Sequence, residues 1–398
     1  MVSERLLPRY YWYQAVSAAT FFQAVFFVYY GERAGLSVAT ILALQSFNTG
    51  LRAALDLPFG ALADRVSRRL CLVGASLGNL AGAALLLAWP SLPGACIAET
   101  CFAVAAALRS GADSALLHDT LRADGRIDLY PRAESRGQAM ASLGSGTAAV
   151  VGGVLAGIHL ALPYVATLAT AAAGAGMAWM LEERRPGDHR PGGRGRMGAA
   201  AGFAWHTPAV RWTLGVAVLA VVSSHVYFYL QQPYLSAVGV PLALFGVVFA
   251  ATKLVTALVA AQAHRIDAAL GQRAAVVLMT AVPVCGLGAM AAVHAPAGAL
   301  LILTRGLLDG IWMPLLNVYM NRLVGSHLRA TMLSLQSVLA RLGLAAALAA
   351  LGAATARLGL WTTLGLVAAT IALGGGMLLA CAPRRAARLD AGTPGSMR

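Results

Sequence analysis

Long apolar segments recur along the whole chain, and they constrain its fold more than any other feature. Each has about 20 residues, the length at which a helix crosses about 30 Å of hydrocarbon. Only 12% of the 398 residues are charged, whereas a soluble domain has roughly a quarter. The sequence therefore predicts an all-α membrane protein with twelve transmembrane helices, over residues 10–30, 38–62, 70–90, 94–118, 137–158, 161–181, 209–230, 241–263, 273–293, 297–321, 330–354 and 358–381.

The formal net charge of +14 would favour nucleic-acid binding in a soluble protein, but its distribution gives another explanation. If the N-terminus is cytoplasmic and the spans alternate, most of the basic residues lie on the cytoplasmic side. Outside the spans, only Arg33 and Arg357 lie on the opposite side. This is the bias that orients helices during insertion. We therefore expect a multi-pass protein of the bacterial inner (plasma) membrane, with both termini cytoplasmic and no nucleic-acid partner.

A polar segment interrupts the series of apolar spans near the middle of the chain. Residues 182–198 read EERRPGDHRPGGRGRMG and have no apolar periodicity, a composition typical of a flexible linker. The expected organisation is an N-terminal six-helix bundle over 1–181, a cytoplasmic linker over 182–208, a C-terminal six-helix bundle over 209–383 and a cytoplasmic tail over 384–398.

Three sequence patterns of the first half recur, in the same order, in the second half, which indicates an internal duplication. The segment 60–69 has a faint copy at 260–266, Arg109-x-x-x-Asp113 recurs as Arg305-x-x-x-Asp309, and Arg136-Gly-Gln-Ala-Met-Ala-Ser-Leu resembles Arg329-Ala-Thr-Met-Leu-Ser-Leu.

The segment Gly60-Ala61-Leu62-Ala63-Asp64-Arg65-Val66-Ser67-Arg68-Arg69 resembles the signature G-x-L-A-D-R-x-G-R-[KR] of the major facilitator superfamily. Ser67 replaces the usual glycine, and His264 occupies the position of Asp64 in the second copy. The resemblance covers essentially the whole chain and implies an efflux-type secondary transporter with two pseudo-symmetric six-helix bundles. It also implies a cytoplasmic gating latch, formed by Gly60, Asp64, Arg65, Arg68, Arg69 and Asp119.

Charged residues inside the apolar spans are candidates for function, because a charge in the bilayer normally faces a cavity or a partner. Six of them form pairs four residues apart, close enough to neutralise each other on a helix: Arg52/Asp56, Arg109/Asp113 and Arg305/Asp309. Such pairs are either neutral structural contacts or sites that exchange a proton when cargo binds. Leu108-Arg109-x-Gly111-Ala112 also resembles the family's span-4 arginine motif, which implies proton coupling at Arg109.

Polar and aromatic residues near the helix centres predict an amphipathic substrate cavity, although each alone is also compatible with a helix–helix contact. Lys253 is the chain's single lysine and lies in the eighth span, where the alternative is a side chain that reaches the membrane surface. The cavity candidates are Gln14, Gln23, His225, Tyr229, Gln232, Lys253, Trp312, Asn317 and Arg341.

The fifth span suggests the direction of transport. Gly144-x-x-x-Ala148-Ala149-x-x-Gly152-Gly153-x-Leu155 resembles the family's antiporter signature, with Ala148-Ala149 in place of Gly-Pro. We therefore expect a monomeric, proton-coupled exporter of a small amphipathic or anionic molecule, such as a drug, metabolite or siderophore-like compound. The alternatives are an uptake symporter of a small anionic solute, a sensor of the same fold that binds without transport, and, remotely, a membrane acyltransferase using His118 and Asp119.

No motif in the sequence predicts an enzyme, a cofactor or a metal site. The phosphate-binding pattern G-x-x-x-x-G-K-[ST] does not occur, so ATP coupling is not expected. The five cysteines lack the spacing of metal ligands.

Overall fold

The computed structural model describes residues 2–184, 195–324 and 326–383. Every regular element in these ranges is helical, which confirms the predicted all-α class. The α-helices are α1 Val2–Ala18, α2 Phe26–Ala34, α3 Val38–Arg65, α4 Arg68–Ala88, α5 Leu92–Arg109, α6 Ala112–Ala123, α7 Tyr130–Ile158, α8 Leu162–Trp179, α9 Gly195–His206, α10 Pro208–Ala237, α11 Leu242–Ala260, α12 Ala263–Ala292, α13 Leu303–Leu323 and α14 Ser326–Ala380. Short 3-10 helices cover Phe21–Ala24, Ile127–Leu129 and Pro296–Ile302.

Eight helical stretches within the described ranges are long and apolar enough to cross a membrane. The longest, Thr331–Ala380, contains Gly359 with a φ of 75°, where two helices meet at a kink. This kink lies next to the boundary that the sequence predicts between its last two spans.

Two compact units make up the chain. Unit 1 comprises Met1–Pro191 and Gly239–Ala250, and unit 2 comprises Gly192–Val238 and Ala251–Arg398. The short segment that leads into α11 and forms its first half therefore clusters with unit 1. Each unit has its own buried core, built around Tyr10, Tyr13, Leu72 and Leu116 in unit 1 and around Trp212, Leu308, Trp312 and Tyr319 in unit 2.

The first predicted span, over 10–30, is not one helix. It is divided into α1, a 3-10 turn and α2, although neither glycine nor proline occurs at the break. Side chains of α8 satisfy the backbone groups that the break exposes: Phe21 N donates to Thr167 Oγ1 (3.1 Å), and Thr170 Oγ1 donates to Ala19 O (2.9 Å). Such compensation is what a broken helix requires inside a membrane.

Two glycines of α7 allow the broken first span to pack closely against that helix. A Cβ on Gly144 would lie 2.0 Å from Ala15 O, and one on Gly152 would lie 1.9 Å from Phe21 O. Only glycine therefore allows the two backbones to approach this closely. Part of the small-residue pattern of the fifth span thus serves the packing of the first.

The fourth predicted span, over 94–118, is also divided. It ends as α5 at Arg109 and resumes as α6 at Ala112, with Gly111 at a φ of 76° between them. This is the left-handed region that glycine adopts without the steric cost of a side chain. Residues 303–323, which carry the repeat of the same pattern, form the uninterrupted helix α13.

Candidate functional site

A polar cavity of about 450 Å³ lies in unit 1, where the first and fourth predicted spans are both broken. Helices α3, α4 and α7 complete its wall. Its polar lining includes Thr20, Gln23, Arg52, Asn79, Arg109 and Asp113. The cavity lining therefore contains two arginines and one aspartate, and its other residues are uncharged. Of the predicted cavity residues, Gln23 lies in this wall.

The predicted pair Arg52/Asp56 contributes only its basic member to this cavity. Both residues lie on α3 and both are half-buried. Arg52 lines the cavity, whereas Asp56 is absent from its lining. Asp113 supplies the carboxylate there, and a coupling role for Asp56 stays a prediction.

The Arg109–Asp113 pair is held together by a third side chain. Arg109 Nε lies 3.7 Å from Asp113 Oδ2. Gln14 donates from Nε2 to Asp113 Oδ2 (3.0 Å) and accepts at Oε1 from Arg109 Nη2 (2.8 Å). The amide of Gln14 therefore links both charged groups to α1.

Arg109 also stabilises the break in the first span. Its Nη1 donates to the carbonyl oxygen of Ser17 at 3.2 Å, in the last turn of α1, where carbonyls lack a partner within the helix. A cation is also favoured at the negative end of a helix dipole. The guanidinium therefore joins the two broken spans across the cavity wall.

A hydrogen-bonded chain leads from this pair to the start of α7. Gln14 Nε2 also donates to Tyr10 Oη (2.8 Å), and Tyr10 Oη donates to Glu134 Oε2 (3.2 Å). Ser114 Oγ donates to Glu134 Oε1 at 2.7 Å. Sequence reasoning missed Glu134, because it lies just before the fifth apolar span and only charges within spans were considered.

The corresponding pair of unit 2 is closer and more deeply packed. Arg305 Nη2 lies 3.2 Å from Asp309 Oδ2. Ser224 donates a hydrogen bond to Asp309, as does Trp312 Nε1 at 3.3 Å. The Arg305 guanidinium lies over the Phe228 ring, 5.0 Å from its centroid. Lys253 has an exposed side chain and interacts electrostatically with both members of the pair.

The remaining predicted cavity residues of unit 2 lie on α10, α13 and α14. The His225 ring nitrogen Nδ1 lies 2.8 Å from Val221 O, and Tyr229 packs edge-on against Phe228. Gln232 is buried and Arg341 is half-buried. The side chain of Asn317 lies outside the described residues. Trp312 belongs to the apolar core of the unit as well as to the ion-pair cluster.

At the predicted latch, the structure places Arg68 in an ion pair with Asp119, and both side chains are buried. Arg68 Nη1 also donates to Ala115 O at 2.7 Å. Asp119 Oδ1 contacts His118 Nδ1 at 3.1 Å, so the carboxylate proposed for acyl transfer is already engaged by a guanidinium. The side chains of Asp64, Arg65 and His264 lie outside the described part of the chain.

The serine that replaces the signature glycine caps α4. Ser67 Oγ accepts from Leu70 N (3.1 Å) and donates to Glu183 Oε2 (2.5 Å), while Glu183 also accepts from the backbone nitrogens of Arg68 and Arg69. An acid at a helix N-terminus is favoured by the helix dipole. The first residues after α8 therefore hold the start of α4, a role that the sequence did not reveal.

Among the residues that the structure describes, no group of three or more His, Cys, Asp or Glu side chains is arranged to hold a metal ion. The five cysteines are free thiols.

Comparison with known proteins identifies the fold. The family model for the Major Facilitator Superfamily matches residues 13–348. No curated protein matches the sequence significantly. The solved structure of nucleoside transporter NupG is similar, with a TM-score of 0.81 and 11% identity over 94% of this chain and 98% of that chain.

Two further solved structures share the fold. A bacterial homologue of the human lysosomal transporter Spinster, in an inward-facing and unoccupied conformation, has a TM-score of 0.72 and 14% identity over 99% of both chains. A mutant of the peptide transporter POT, in complex with sulfate, has a TM-score of 0.74 and 15% identity over 96% of this chain and 95% of that chain.

Proposed function

This chain belongs to the Major Facilitator Superfamily, and we propose that it exports a small amphipathic or anionic molecule in exchange for protons by alternating access. The family makes it a multi-pass membrane transporter rather than an enzyme. The proposal adds the coupling ion, the direction and the chemical class of the cargo. It also includes a monomeric state and a location in the bacterial inner membrane. The distribution of basic residues favours cytoplasmic termini.

The cavity of unit 1 is the observation that carries the proposal. Its volume of about 450 Å³ lies within the range of small-molecule sites. Arg52 and Arg109 outnumber Asp113 in its lining, and guanidinium groups bind carboxylates and phosphates through paired hydrogen bonds. Neutral donors such as Gln23 and Asn79 suit an amphipathic molecule with several polar atoms.

Asp113 supports proton coupling because the same carboxylate lines the cavity and binds Arg109 and Gln14. A cargo whose hydrogen-bond donor contacts Asp113 competes with a proton for that carboxylate. Competition of this kind produces exchange, because occupancy by one ligand excludes the other. The resemblance of the fifth span to an antiporter signature favours the same direction.

Uptake of a small anionic solute together with protons is the second candidate, and the same pair gives it a physical basis. An anion that binds Arg109 withdraws the counter-charge from Asp113, which then takes up a proton more readily. Cargo and proton then bind together rather than in competition. The two candidates therefore differ in which member of the pair the cargo contacts.

The test uses the full chain reconstituted into liposomes, with cargo chosen from anionic and amphipathic metabolites that raise its thermal stability. Exchange predicts that an acidic lumen drives cargo inward, whereas symport predicts that an acidic exterior does so. Asp113→Asn should reduce accumulation driven by the pH gradient about tenfold or more, because an amide side chain cannot take up and release the coupled proton.

Asp128→Asn is the matched control, because Asp128 is exposed and lies outside the cavity. It should transport like the natural protein. Unchanged gradient-driven accumulation in Asp113→Asn would remove Asp113 from the coupling mechanism.

A further inference from the structure

Unit 1 contains a second buried acid that lies outside the polar cavity. Glu99 is on α5, within the apolar stretch Leu92–Ala123, and its relative exposure is 4%. A carboxyl group in such a position is costly unless its environment compensates for lost water. Its surroundings therefore indicate whether it is structural or exchanges a proton.

Three neutral side chains surround the carboxyl group. Tyr30 Oη and Gln45 Nε2 both donate to Glu99 Oε1 at 2.7 Å, and Asn48 Nδ2 donates to Oε2 at 2.8 Å. Asn48 Nδ2 also donates to the backbone oxygen of Glu99 at 2.9 Å. This Glu99 cage, made of Tyr30, Gln45, Asn48 and Glu99, joins α2, α3 and α5.

No cation forms an ion pair with Glu99 in the described part of the chain. On α3 the nearest basic residue is Arg52, one turn beyond Asn48, and on α5 Arg109 lies ten residues away, about 15 Å along the helix. Tyr164 faces the cage from α8, which has no charged residue. Helix α4 has charged residues only in its first turn, and Glu32 and Arg33 of α2 are exposed.

A cage of this composition is compatible with both protonation states of the acid. Three charge-assisted hydrogen bonds stabilise the carboxylate. When the acid is protonated, a rotated amide presents its oxygen and the tyrosine hydroxyl turns to accept, because both groups are donors and acceptors. A guanidinium, which only donates, would instead hold the acid ionised.

We propose that Glu99 is a proton-binding site of unit 1, separate from Asp113, and that its occupancy sets the strength of the contacts between α2, α3 and α5. Loss of the proton gives Glu99 a negative charge and strengthens the three hydrogen bonds. Uptake returns them to the weaker neutral kind. The proton is exchanged with water, and the proposal assigns the polar cavity as its source, because Arg52, one turn beyond Asn48, lines that cavity.

This inference extends the proposed proton coupling to a second carboxyl, but proton exchange at Glu99 can be measured without any transport. Infrared difference spectra of the full chain in lipid, recorded between acidic and neutral pH, report the carbonyl band of each protonated carboxyl. We expect one such band to be lost in Glu99→Gln and retained in Asp113→Asn. A spectrum of Glu99→Gln identical to that of the natural protein would overturn the inference, even if cargo moves with protons.

Tyr30→Phe provides a second and milder variant, which keeps the ring and removes one donor to the carboxylate. The titration midpoint of the Glu99 band should move by about one pH unit to higher pH, because the charged form loses a hydrogen bond. A Glu99 band whose midpoint does not respond to Tyr30→Phe would contradict the role assigned to the cage. Tyr11→Phe, which leaves the Glu99 cage intact, is the control and should not move the midpoint.

Discussion

Units 1 and 2 contain the same Arg-x-x-x-Asp pattern in two different physical states. In unit 1 the Arg109 side chain is 26% exposed, lines the cavity and lies 3.7 Å from Asp113 across a helix break. In unit 2 the Arg305 side chain is 9% exposed and lies 3.2 Å from Asp309 on the continuous helix α13. An identical spacing has produced one accessible pair and one packed pair.

One position within the pattern accounts for much of the contrast. Gly111 lies between Arg109 and Asp113 and adopts a left-handed φ, whereas Leu307 occupies the equivalent position in unit 2. A leucine there would carry the steric cost of a side chain. The break itself lies in the cavity wall, because Gly111 lines the cavity together with Arg109 and Asp113. The two patterns share their charges and spacing, and the glycine occurs only in the pattern whose arginine lines the cavity.

Replacing each arginine by alanine tests the contrast between the two ion pairs most directly. Arg305→Ala should lower the free energy of unfolding by about 3–5 kcal/mol, because it leaves Asp309 buried without its cation. Arg109→Ala should lower the free energy of unfolding less than Arg305→Ala does and should reduce transport more, since its pair is exposed to the cavity. Thermal unfolding of both purified variants, alongside the liposome assay, measures the two effects.

The double variant Arg305→Ala with Asp309→Ala is the control for this prediction, and it should recover much of the lost stability. Equal destabilisation by Arg109→Ala and Arg305→Ala would mean that burial does not distinguish the two pairs.

A smaller effect is expected from Ser224→Ala, which removes the hydroxyl that donates to Asp309. A hydrogen bond to a charged group contributes about 1.5–3 kcal/mol, so the variant should lose a comparable amount of stability. Ser223→Ala is a close control, because the Ser223 hydroxyl is buried and has no hydrogen-bond partner among the described residues. Denaturant unfolding should find that variant neutral. If both serines prove neutral, Asp309 does not depend on its hydroxyl partner.

The smallest effect tests the break itself. Gly111→Ala should cost about 1–2 kcal/mol, because a side chain in left-handed backbone is strained even though a Cβ there meets no atom within 4 Å. Gly146→Ala, in the middle of α7 and equally free of contacts, should instead be neutral or slightly stabilising. Opposite signs in thermal unfolding would support the strain at Gly111. A neutral Gly111→Ala would argue that the break is not conformationally demanding.

Local features of the fold were predictable from the sequence. The length of the apolar stretches determined the helical class, and the spacing of Arg305 and Asp309 required them to be neighbours on a helix. The family resemblance depended on a short segment at 60–69 and three repeated patterns, and the match over residues 13–348 confirms it. Each of these patterns lies within one helix or one connection between helices.

The rest depends on contacts between distant parts of the chain. The first span breaks without glycine or proline. Thr167 and Thr170 form hydrogen bonds with the backbone groups that the break exposes, as a broken helix in a membrane requires, and both lie far from the break in the sequence. Gln14 bridges Arg109 and Asp113 from another helix. Glu99 is recognisable in the sequence as a lone acid in an apolar span, but the Arg-x-x-x-Asp spacing that identified the other acids does not include it.

Spacing along one helix also could not tell which charged pair would face the cavity. Asp56 follows Arg52 by the same four positions that separate Asp113 from Arg109, yet Asp56 is absent from the cavity lining and Asp113 is part of it. The chain breaks at Gly111, between Arg109 and Asp113, whereas α3 continues without interruption past Asp56.

Lys253 has a consequence for chemical labelling. It is the chain's single lysine, so apart from the amino terminus it provides the only primary amine for acylating reagents. Its side chain is exposed and interacts with Arg305 and Asp309. The rate at which an acylating reagent modifies Lys253, followed by mass spectrometry of the peptide that contains it, therefore reports on the surroundings of the packed pair without introducing a cysteine or a fluorescent residue.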